Sequence, residues 1–230
     1  MNLTTRLSII IPTLNEEETL PLLLADLQSC DNKHEILVVD SESSDNTVLI
    51  SKLFDVNVIN TKESNRGSQM HRGASRSCGE WLLFLHADSR LRQDWCLSVS
   101  RVLNDIKSKE KAWFFEFKVN NNKPWFRIME ILVSIRSNIF KRPYGDQGLL
   151  IHKELYKKIG GYKPLHLMED LDLIIRLSKG SSVESINQNI YTNSRKWRKA
   201  NIISQSIKNS ILRKRWINGE SSYQLHKEYY

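Results

Sequence analysis

The chain lacks long apolar runs. Within its 230 residues, no apolar stretch approaches the roughly 20 residues that a membrane-spanning helix needs. Met1–Arg6 does not place a basic stretch before an apolar core, and the run Leu7–Ile11 is short and leads into Pro12. We therefore expect a cytoplasmic protein that is not exported.

Cysteine is scarce. The chain has three cysteines, Cys30, Cys78 and Cys96, which are scattered and show no Cys-x-x-Cys spacing. An odd, scattered set suits neither a disulfide framework nor a zinc site. We expect three reduced thiols.

A glycine-rich loop is missing where one class of nucleotide-binding enzyme would carry it. A nucleotidyltransferase with a similar sheet would be expected to have a glycine-rich, arginine-containing phosphate loop after its first strand. The segment Pro12–Glu17 follows the first predicted strand and contains no glycine. This alternative is therefore disfavoured.

Basic residues outnumber acidic ones. The formal net charge is +8, which favours anionic partners such as nucleotide phosphates, acidic lipid head groups or nucleic acid. None of the usual nucleic-acid motifs is visible, so we expect no nucleic-acid partner. A charge run is most often a solvated helix face, and the basic residues crowd one segment: Arg195, Lys196, Arg198, Lys199, Lys208, Arg213, Lys214 and Arg215.

The first half of the chain alternates short apolar runs with helical patterns. Two of the predicted strands are apolar at consecutive positions, which is typical of strands covered on both faces in a parallel sheet. The pattern predicts an α/β, Rossmann-like, doubly wound sheet that binds its ligand at the carboxyl ends of the strands. The predicted strands are Leu7–Pro12, Glu35–Asp40, Val56–Asn60 and Trp81–Asp88, and the predicted helices are Glu16–Gln28, Asp45–Phe54 and Gly67–Cys78.

The second half is less regular, and no linker or repeat divides the chain. We predict a single domain, with a nucleotide-binding half at about 7–110, a smaller second half at about 111–200 and a basic C-terminal helix and tail at about 200–230. The predicted elements are strands at Ala112–Val119, Gly148–His152 and Ser182–Asn187, and helices at Trp125–Phe140, Glu169–Lys179 and Lys199–Trp216.

Carboxylates gather at the predicted carboxyl ends of the strands. Glu16, Asp40 and Asp88 follow three strands that would end side by side. Such carboxylates would repel and raise one another's pKa, and a divalent cation or a donor-rich ligand would relieve the repulsion. A role in turns and caps is the alternative, and it suits Asp45 better than Asp88.

These segments carry a resemblance. Ile10–Glu17, Val38–Thr47 and Leu83–Asp88 closely resemble the opening and metal-binding segments of family 2 glycosyltransferases, and Gly145–Gln147 and Met168–Asp170 resemble their acceptor-side and catalytic-base segments. The compact bacterial subgroup with His-Ala-Asp in place of Asp-x-Asp is the most similar. The resemblance implies a GT-A fold and transfer of a sugar from a nucleotide diphosphate donor to a hydroxyl acceptor.

The same resemblance assigns the donor and metal sites. It implies that Pro12, Thr13 and Glu16 line the base and ribose, and that Asp40 hydrogen-bonds one of them. Asp88 would hold Mg²⁺ or Mn²⁺, with diphosphate and water filling most of the coordination shell. His86 departs from the family pattern, and it would ligate Mn²⁺ more readily than Mg²⁺, contact phosphate, or simply be hydrogen-bonded at the sheet rim.

Basic residues complete the implied donor site. Arg66 belongs to a stretch similar to the Arg-Gly-x-x-Gln of the family and would reach the nucleotide, and this similarity favours the binding role over the alternative of an ordinary helix start. Arg195 and Arg198 resemble the basic segment that closes over the diphosphate. They lack the Gln-x-x-Arg-Trp order of processive enzymes, so single transfer is favoured over polymer synthesis.

The resemblance places acceptor and base in the second half. Asp146 and Gln147 would lie on the acceptor side. Glu169 and Asp170 start a predicted helix, where acids also favour the helix dipole. An inverting transferase needs a base to take the hydroxyl proton, and Asp170 is favoured over Glu169 by position. A non-catalytic basic module that binds acidic membrane or nucleic acid would leave these acids without a role.

One predicted helix is apolar around most of its circumference. In Trp125–Phe140, a narrow polar face of Arg127, Glu130, Ser134, Ser137 and Asn138 is surrounded by apolar residues that Arg136 interrupts. Burial against the sheet is favoured over contact with a lipid interface. The second interpretation implies a peripheral position at the inner membrane face and an acceptor that is lipid-linked.

Overall fold

A computed structural model describes residues 6–30, 33–62, 65–92, 94–121, 123–192 and 202–229. Eight strands and nine α-helices are found in these ranges. The strands are β1 Leu7–Thr13, β2 Glu35–Asp40, β3 Asn57–Asn60, β4 Trp81–Phe84, β5 Ser89–Leu91, β6 Ala112–Val119, β7 Leu149–His152 and β8 Val183–Thr192. The helices are α1 Leu20–Gln28, α2 Thr47–Leu53, α3 Arg66–Arg76, α4 Trp95–Asn104, α5 Pro124–Ser134, α6 Lys153–Lys158, α7 Glu169–Leu177, α8 Ile202–Ile217 and α9 Ser222–Tyr229.

All eight strands belong to one mostly parallel sheet in the order β3-β2-β1-β4-β7-β6-β8-β5. The strands β1 to β4 are mutually parallel, as predicted for the doubly wound half. β7 then pairs antiparallel with β4, and β8 pairs parallel with β6. Sheet hydrogen bonds therefore run directly between the two predicted halves of the chain.

Both faces of the sheet are covered. In β1, Ile9 and Ile11 lie in one apolar cluster with α1 and α4, whereas Ile10 lies in the opposite cluster with α3 and α7. All seven residues of β1 are buried. The prediction that consecutive apolar residues mark a strand covered on both faces is confirmed here.

Several predicted elements have different bounds. The helix predicted at Glu16–Gln28 begins at Leu20, and the strand predicted at Ser182–Asn187 continues to Thr192. The strand predicted at Trp81–Asp88 ends at Phe84, and the chain then turns through His86 into β5, which pairs with β8. The helix predicted at Trp125–Phe140 is α-helical only to Ser134 and continues as a π-helical segment, Ile135–Ile139. Two further short 3₁₀ turns lie at Ile106–Glu110 and Gly145–Gln147.

The expectation of three reduced thiols is wrong for two cysteines. Cys30 follows α1 and Cys96 lies in α4, and these elements pack on the same side of the sheet with a Cα–Cα distance of 5.8 Å. They form a disulfide across a sequence separation of 66 residues. The sequence interval concealed this proximity, because only the fold brings the two segments together. Cys78 is a free, exposed cysteine.

No helix within the described ranges is both long and apolar enough to cross a membrane.

Candidate active site

The carboxyl ends of β1 and β2 are joined by buried polar side chains. The Thr13 hydroxyl donates to Asp40 Oδ1 at 2.9 Å. Gln69 of α3 donates from Nε2 to the carbonyls of Thr13 and Val39 at 2.9 and 2.8 Å. Thr13, Asp40 and Gln69 are all at most 5% exposed. This network fixes the rim of the sheet where the sequence predicts the nucleotide.

Asp40 is also bound by the loop that follows it. Its Oδ2 accepts from the Ser43 backbone N–H at 2.8 Å, and its Oδ1 accepts from the Ser43 hydroxyl at 2.5 Å. Pro12 is buried beside this rim, and Glu16 is half-buried and accepts from the Thr19 hydroxyl at 2.6 Å. The structure thus brings Pro12, Thr13, Glu16 and Asp40 to one edge of the sheet.

Asp45 has the local role that the cap interpretation assigns to it. Its carboxylate accepts from the N–H of Thr47 at the start of α2 and from the N–H of Glu17, both at 3.0 Å. Burial acts to raise the pKa of Asp45, but hydrogen bonds from Thr47 and Glu17 hold it below its usual value. These bonds account for Asp45 as a turn residue directly before Asn46, the N-cap of α2.

The predicted metal residues follow β4. Asp88 is 7% exposed, and its Oδ2 accepts from the Thr192 hydroxyl at the end of β8 at 3.3 Å. His86 is half-buried. A Cβ atom added to Gly145 would lie 2.6 Å from His86 Nε2 and 2.4 Å from Asp170 Oδ2. His86 and Asp170 therefore meet at one point, and glycine at position 145 permits their approach.

Asp146 and Gln147, which the sequence assigns together to the acceptor side, have different surroundings in the structure. Gln147 is fully buried, accepts from Ser137 at 2.6 Å and Arg136 at 2.8 Å, and donates to the Phe115 carbonyl. It therefore ties the 3₁₀ turn to β6 and to the π-helical segment. Asp146 instead lines a cavity, and its Oδ1 has no hydrogen-bond partner within the described part of the chain.

Burial raises the pKa of Asp146. The positive charge of Arg136 opposes this effect, and the negative charge of Asp88 adds to it. Asp88 and Asp146 are therefore close enough for one carboxylate to disfavour ionisation of the other.

Glu169 and Asp170 are adjacent but differ in their contacts. Glu169 is 1% exposed, and its Oε1 accepts from Arg66 Nε at 2.5 Å. The predicted nucleotide ligand Arg66 thus lies in an ion pair with Glu169, with 43% of its side chain exposed. Met168, which precedes the pair, adopts a left-handed conformation with φ 71° and turns the chain into α7.

Asp170 has one oxygen engaged and one unengaged. Its Oδ2 accepts from the Gly145 N–H at 3.1 Å, whereas its buried Oδ1 has no partner among the residues described. Burial, and after it the charge of Glu169, raises the pKa of Asp170 to about 7. A carboxylate with this pKa can accept a proton near neutral pH and release it again.

Five of the predicted site residues line one cavity of about 240 Å³. Its walls include Arg66, His86, Asp146, Glu169 and Asp170. The cavity is large enough for part of a ligand, and its acids and bases converge in the way expected of an active site.

Sequence reasoning missed part of the wall. Arg213 and Leu212 of α8 line the cavity, as does Tyr144. The Tyr144 ring lies 3.6 Å from the guanidinium carbon of Arg136 and 5.1 Å from that of Arg213. Arg136 had a signal in the sequence, since it interrupts an apolar arc, but α8 had only the pattern of a solvated basic helix.

Arg195 and Arg198 lie outside the described residues.

The donor set fits a hard divalent cation without forming a complete protein cage. Within the described residues, no group of three or more His, Cys, Asp or Glu side chains is arranged to hold a metal. The buried Asp88 carboxylate, with the unengaged Asp146 oxygen near it, supplies the oxygen chemistry that Mg²⁺ and Mn²⁺ prefer. Phosphate and water would have to supply the remaining ligands.

Comparison with known proteins gives one family. The profile described as "Glycosyl transferase family 2" matches residues 8–153, which is more than half of the chain. An uncharacterized glycosyltransferase of Haemophilus influenzae is 29% identical over 74% of this chain and 61% of its own length. A PGL/p-HBAD biosynthesis glycosyltransferase of Mycobacterium bovis is 29% identical over 74% of this chain and 68% of its own. The chain thus spans about two thirds of the length of these relatives.

The fold is also that of known glycosyltransferases. A mannosyltransferase from Pyrobaculum calidifontis, solved in complex with GDP-Man and Mn²⁺, superposes with a TM-score of 0.69. The match covers 100% of this chain and 70% of that protein at 16% sequence identity. The predicted GT-A fold is confirmed.

Proposed function

The chain belongs to glycosyltransferase family 2, and from this premise we propose that it transfers a sugar from a nucleotide diphosphate sugar to a hydroxyl acceptor, with inversion. The observation that carries the proposal is Asp170. Its unengaged, buried oxygen and its pKa of about 7 stand at the wall of the cavity, beside His86 and Asp146.

Asp170 acts as the base in a single displacement. Its carboxylate accepts the proton of the acceptor hydroxyl as that oxygen bonds to the anomeric carbon of the sugar. The bond between the anomeric carbon and the diphosphate oxygen breaks in the same step, and its electron pair leaves with the nucleoside diphosphate. Glu169 is the weaker candidate, because Arg66 already occupies one of its oxygens in an ion pair.

Asp88 is proposed to hold the divalent cation, Mg²⁺ or Mn²⁺, with His86 as a further ligand or a phosphate contact. When bound, the cation supplies Lewis-acid stabilisation of the leaving diphosphate. The burial of Asp88 supports this role, and so does its negative charge, which raises the pKa of Asp146 and which a bound cation would offset. The Mn²⁺ in the Pyrobaculum mannosyltransferase complex also supports it.

The nucleotide is proposed to lie at the edge formed by β1 and β2. Pro12, Thr13 and Glu16 line it, and Asp40 is the hydrogen-bonding group, held in position by Thr13 and Ser43. Arg66 lies between this edge and the catalytic acids, where it can neutralise phosphate charge while it orients Glu169. Arg195 and Arg198 are proposed to close over the diphosphate, and Asp146 is proposed to face the acceptor.

Two broader features remain part of the proposal. The acceptor is lipid-linked, and the protein works in the cytoplasm at the inner membrane face. The support is the outward apolar side chains of α5 and of the π-helical segment Ile135–Ile139, which the cavity residues Tyr144–Asp146 follow in the chain. The nucleotidyltransferase and the non-catalytic basic module are not favoured, because family membership and the cavity acids both point to glycosyl transfer.

The test separates transfer from donor binding. A panel of UDP-, GDP- and dTDP-sugars with Mn²⁺ first identifies the donor by calorimetry. Asp170→Asn should then lower transfer by about a thousandfold while donor affinity changes less than about threefold, because the amide keeps the shape but cannot accept the proton. Glu110→Gln, which neutralises an exposed carboxylate in the 3₁₀ turn, is the matched control and should leave both unchanged. Full transfer by Asp170→Asn would remove Asp170 from the mechanism.

A further inference from the structure

The helix α5 and the π-helical segment after it are oriented with their polar side inward. Glu130 is 4% exposed, and its carboxylate accepts from the Val119 backbone N–H of β6 at 2.9 Å. Lys118 and Arg127 also bind this carboxylate, at 3.3 and 2.9 Å. The polar face of the helix therefore packs against the carboxyl end of β6.

The π-helical segment continues this attachment. Ser137 is fully buried and donates to Gln147 at 2.6 Å, and Asn138 donates to Glu116 of β6 at 3.1 Å. These bonds place the polar residues against protein along the whole length of residues 124–139. The expectation that the apolar arc is mainly buried is wrong, because these polar partners take the inward side.

The apolar side chains consequently point outward. Only a small inner group, Phe126 with Met129 and Val133, packs on Phe117 and Val119. The outer group, which we call the apolar face, is between 39% and 69% exposed and consists of Trp125, Ile128, Ile131, Leu132, Ile135, Ile139 and Phe140. Single exposed apolar residues are ordinary, but seven on one short helical stretch mark an interaction surface.

Charge decides between the kinds of partner. Residues 123–142 contain one acidic residue, Glu130, which is buried and ion-paired. Exposed Lys123 lies at one end of the apolar face, and exposed Lys141 and Arg142 lie at the other. The Lys123 ammonium also lies 5.2 Å from the centre of the Trp125 ring, which fits an aromatic-basic pair at a membrane interface.

A second copy of the chain fits this charge pattern poorly. An antiparallel two-fold pairing of the apolar faces would place Lys123 of one copy beside Lys141 and Arg142 of the other, and like charges would repel. A bilayer with anionic head groups takes the apolar residues into its boundary and pairs all of the flanking cations.

We propose that the apolar face docks on the surface of an anionic lipid bilayer. The chain runs from this face directly into Tyr144, Gly145 and Asp146 of the cavity, and Arg136 within the face's own helix contacts Tyr144. Docking would then bring the hydroxyl of a membrane-borne acceptor toward Asp170, and this consequence rests on the proposed function.

The test uses the full chain and vesicle flotation. Vesicles of phosphatidylcholine with about a third phosphatidylglycerol should bind the protein at low salt, whereas neutral phosphatidylcholine vesicles or high salt should release most of it. Ile128→Asn combined with Leu132→Asn should lower binding about tenfold or more. Both positions are about 60% exposed, so the fold should tolerate the changes. Leu53→Asn, at an exposed leucine on α2, is the matched control and should bind as the unaltered chain does.

Three results would overturn the docking proposal. The first is no binding to the anionic vesicles at low salt, and the second is equal binding by the double variant. The third is a dimer in analytical ultracentrifugation that the double variant abolishes while neither protein binds vesicles, which would assign the face to a second copy. Donor-nucleotide binding is measured on the same samples, so that failure of the proposed enzyme activity is seen separately from failure of docking.

Discussion

At the scale of single residues, Glu169 and Asp170 show how neighbours in sequence acquire different chemistry. Glu169 is held by Arg66, whereas Asp170 keeps one buried oxygen unengaged. The sequence predicts both acids at a helix start but leaves the choice of base close. The structure distinguishes them, because Arg66, which lies 103 residues earlier in the chain, forms an ion pair with Glu169.

The first prediction concerns pH. Asp170 is active as a base only when it is ionised, and its pKa is raised to about 7 by burial and by the charge of Glu169. Below that pH most of the unliganded protein carries a protonated Asp170, so kcat/KM should rise with pH about tenfold per unit and level off above about 7. Initial rates measured across this range with donor and acceptor below their KM values check it, because kcat/KM reports the ionisation of the unoccupied site. A rate that is flat, or that falls as pH rises through this range, would contradict Asp170 as the base.

The second prediction concerns the cation. Mn²⁺ or Mg²⁺ should strengthen donor-nucleotide binding by about tenfold or more, and Asp88→Ala should remove that gain, because the main anionic ligand is lost. Calorimetry with and without metal measures both values. Binding that is independent of metal and unchanged in the variant would refute the assignment. His86→Asp tests the second ligand, since a carboxylate there should shift the preference from Mn²⁺ toward Mg²⁺.

At the scale of elements, the junction of α3 and α7 positions Glu169 and Asp170, the acids of the proposed mechanism. A Cβ atom added to Gly67 would lie 2.3 Å from the Lys163 carbonyl oxygen and 3.2 Å from Glu169 Cβ. Gly67 belongs to the stretch that resembles Arg-Gly-x-x-Gln, and the close approach of two backbones is by itself a sufficient reason for glycine at this position.

The third prediction follows from this contact. Gly67→Ala should lower the free energy of unfolding by about 1–3 kcal/mol, because the backbone of the Lys163 segment must shift. It should also lower transfer, since the same shift displaces Glu169 and Asp170. Gly180→Ala is the matched control, because a Cβ atom there meets nothing within 4 Å, and its stability should change by less than about 0.5 kcal/mol. Urea denaturation measures both variants, and equal stability would show that the junction is not tight.

Elements were predictable from sequence to different degrees. The strands Glu35–Asp40 and Ala112–Val119 have the predicted bounds, because apolar runs and turn residues specify them locally. The orientation of α5 was not predictable. Periodicity gives the width of an apolar face, but which face lies inward depends on the Val119 N–H and on Gln147, which Glu130 and Ser137 contact only once the strand and the turn beside them have folded.

At the scale of the whole molecule, the family could be predicted from motif order, whereas the assembly of the cavity could not. Motifs separated by about eighty residues, such as His86 and Asp170, meet at Gly145 only because β7 returns antiparallel beside β4. The wall formed by Leu212 and Arg213 carries no motif. For the same reason the disulfide between Cys30 and Cys96 was missed, since spacing alone does not report which elements pack together.

The central claim is that one carboxylate base drives a single displacement at the anomeric carbon. The most direct test is the anomeric configuration of the product, read by NMR in a reaction with a donor of known configuration, early enough to precede any rearrangement. A single displacement predicts an inverted configuration in the product of the unaltered chain. A product with retained configuration would contradict it, because retention requires a second displacement or a different mechanism in which Asp170 is not the base.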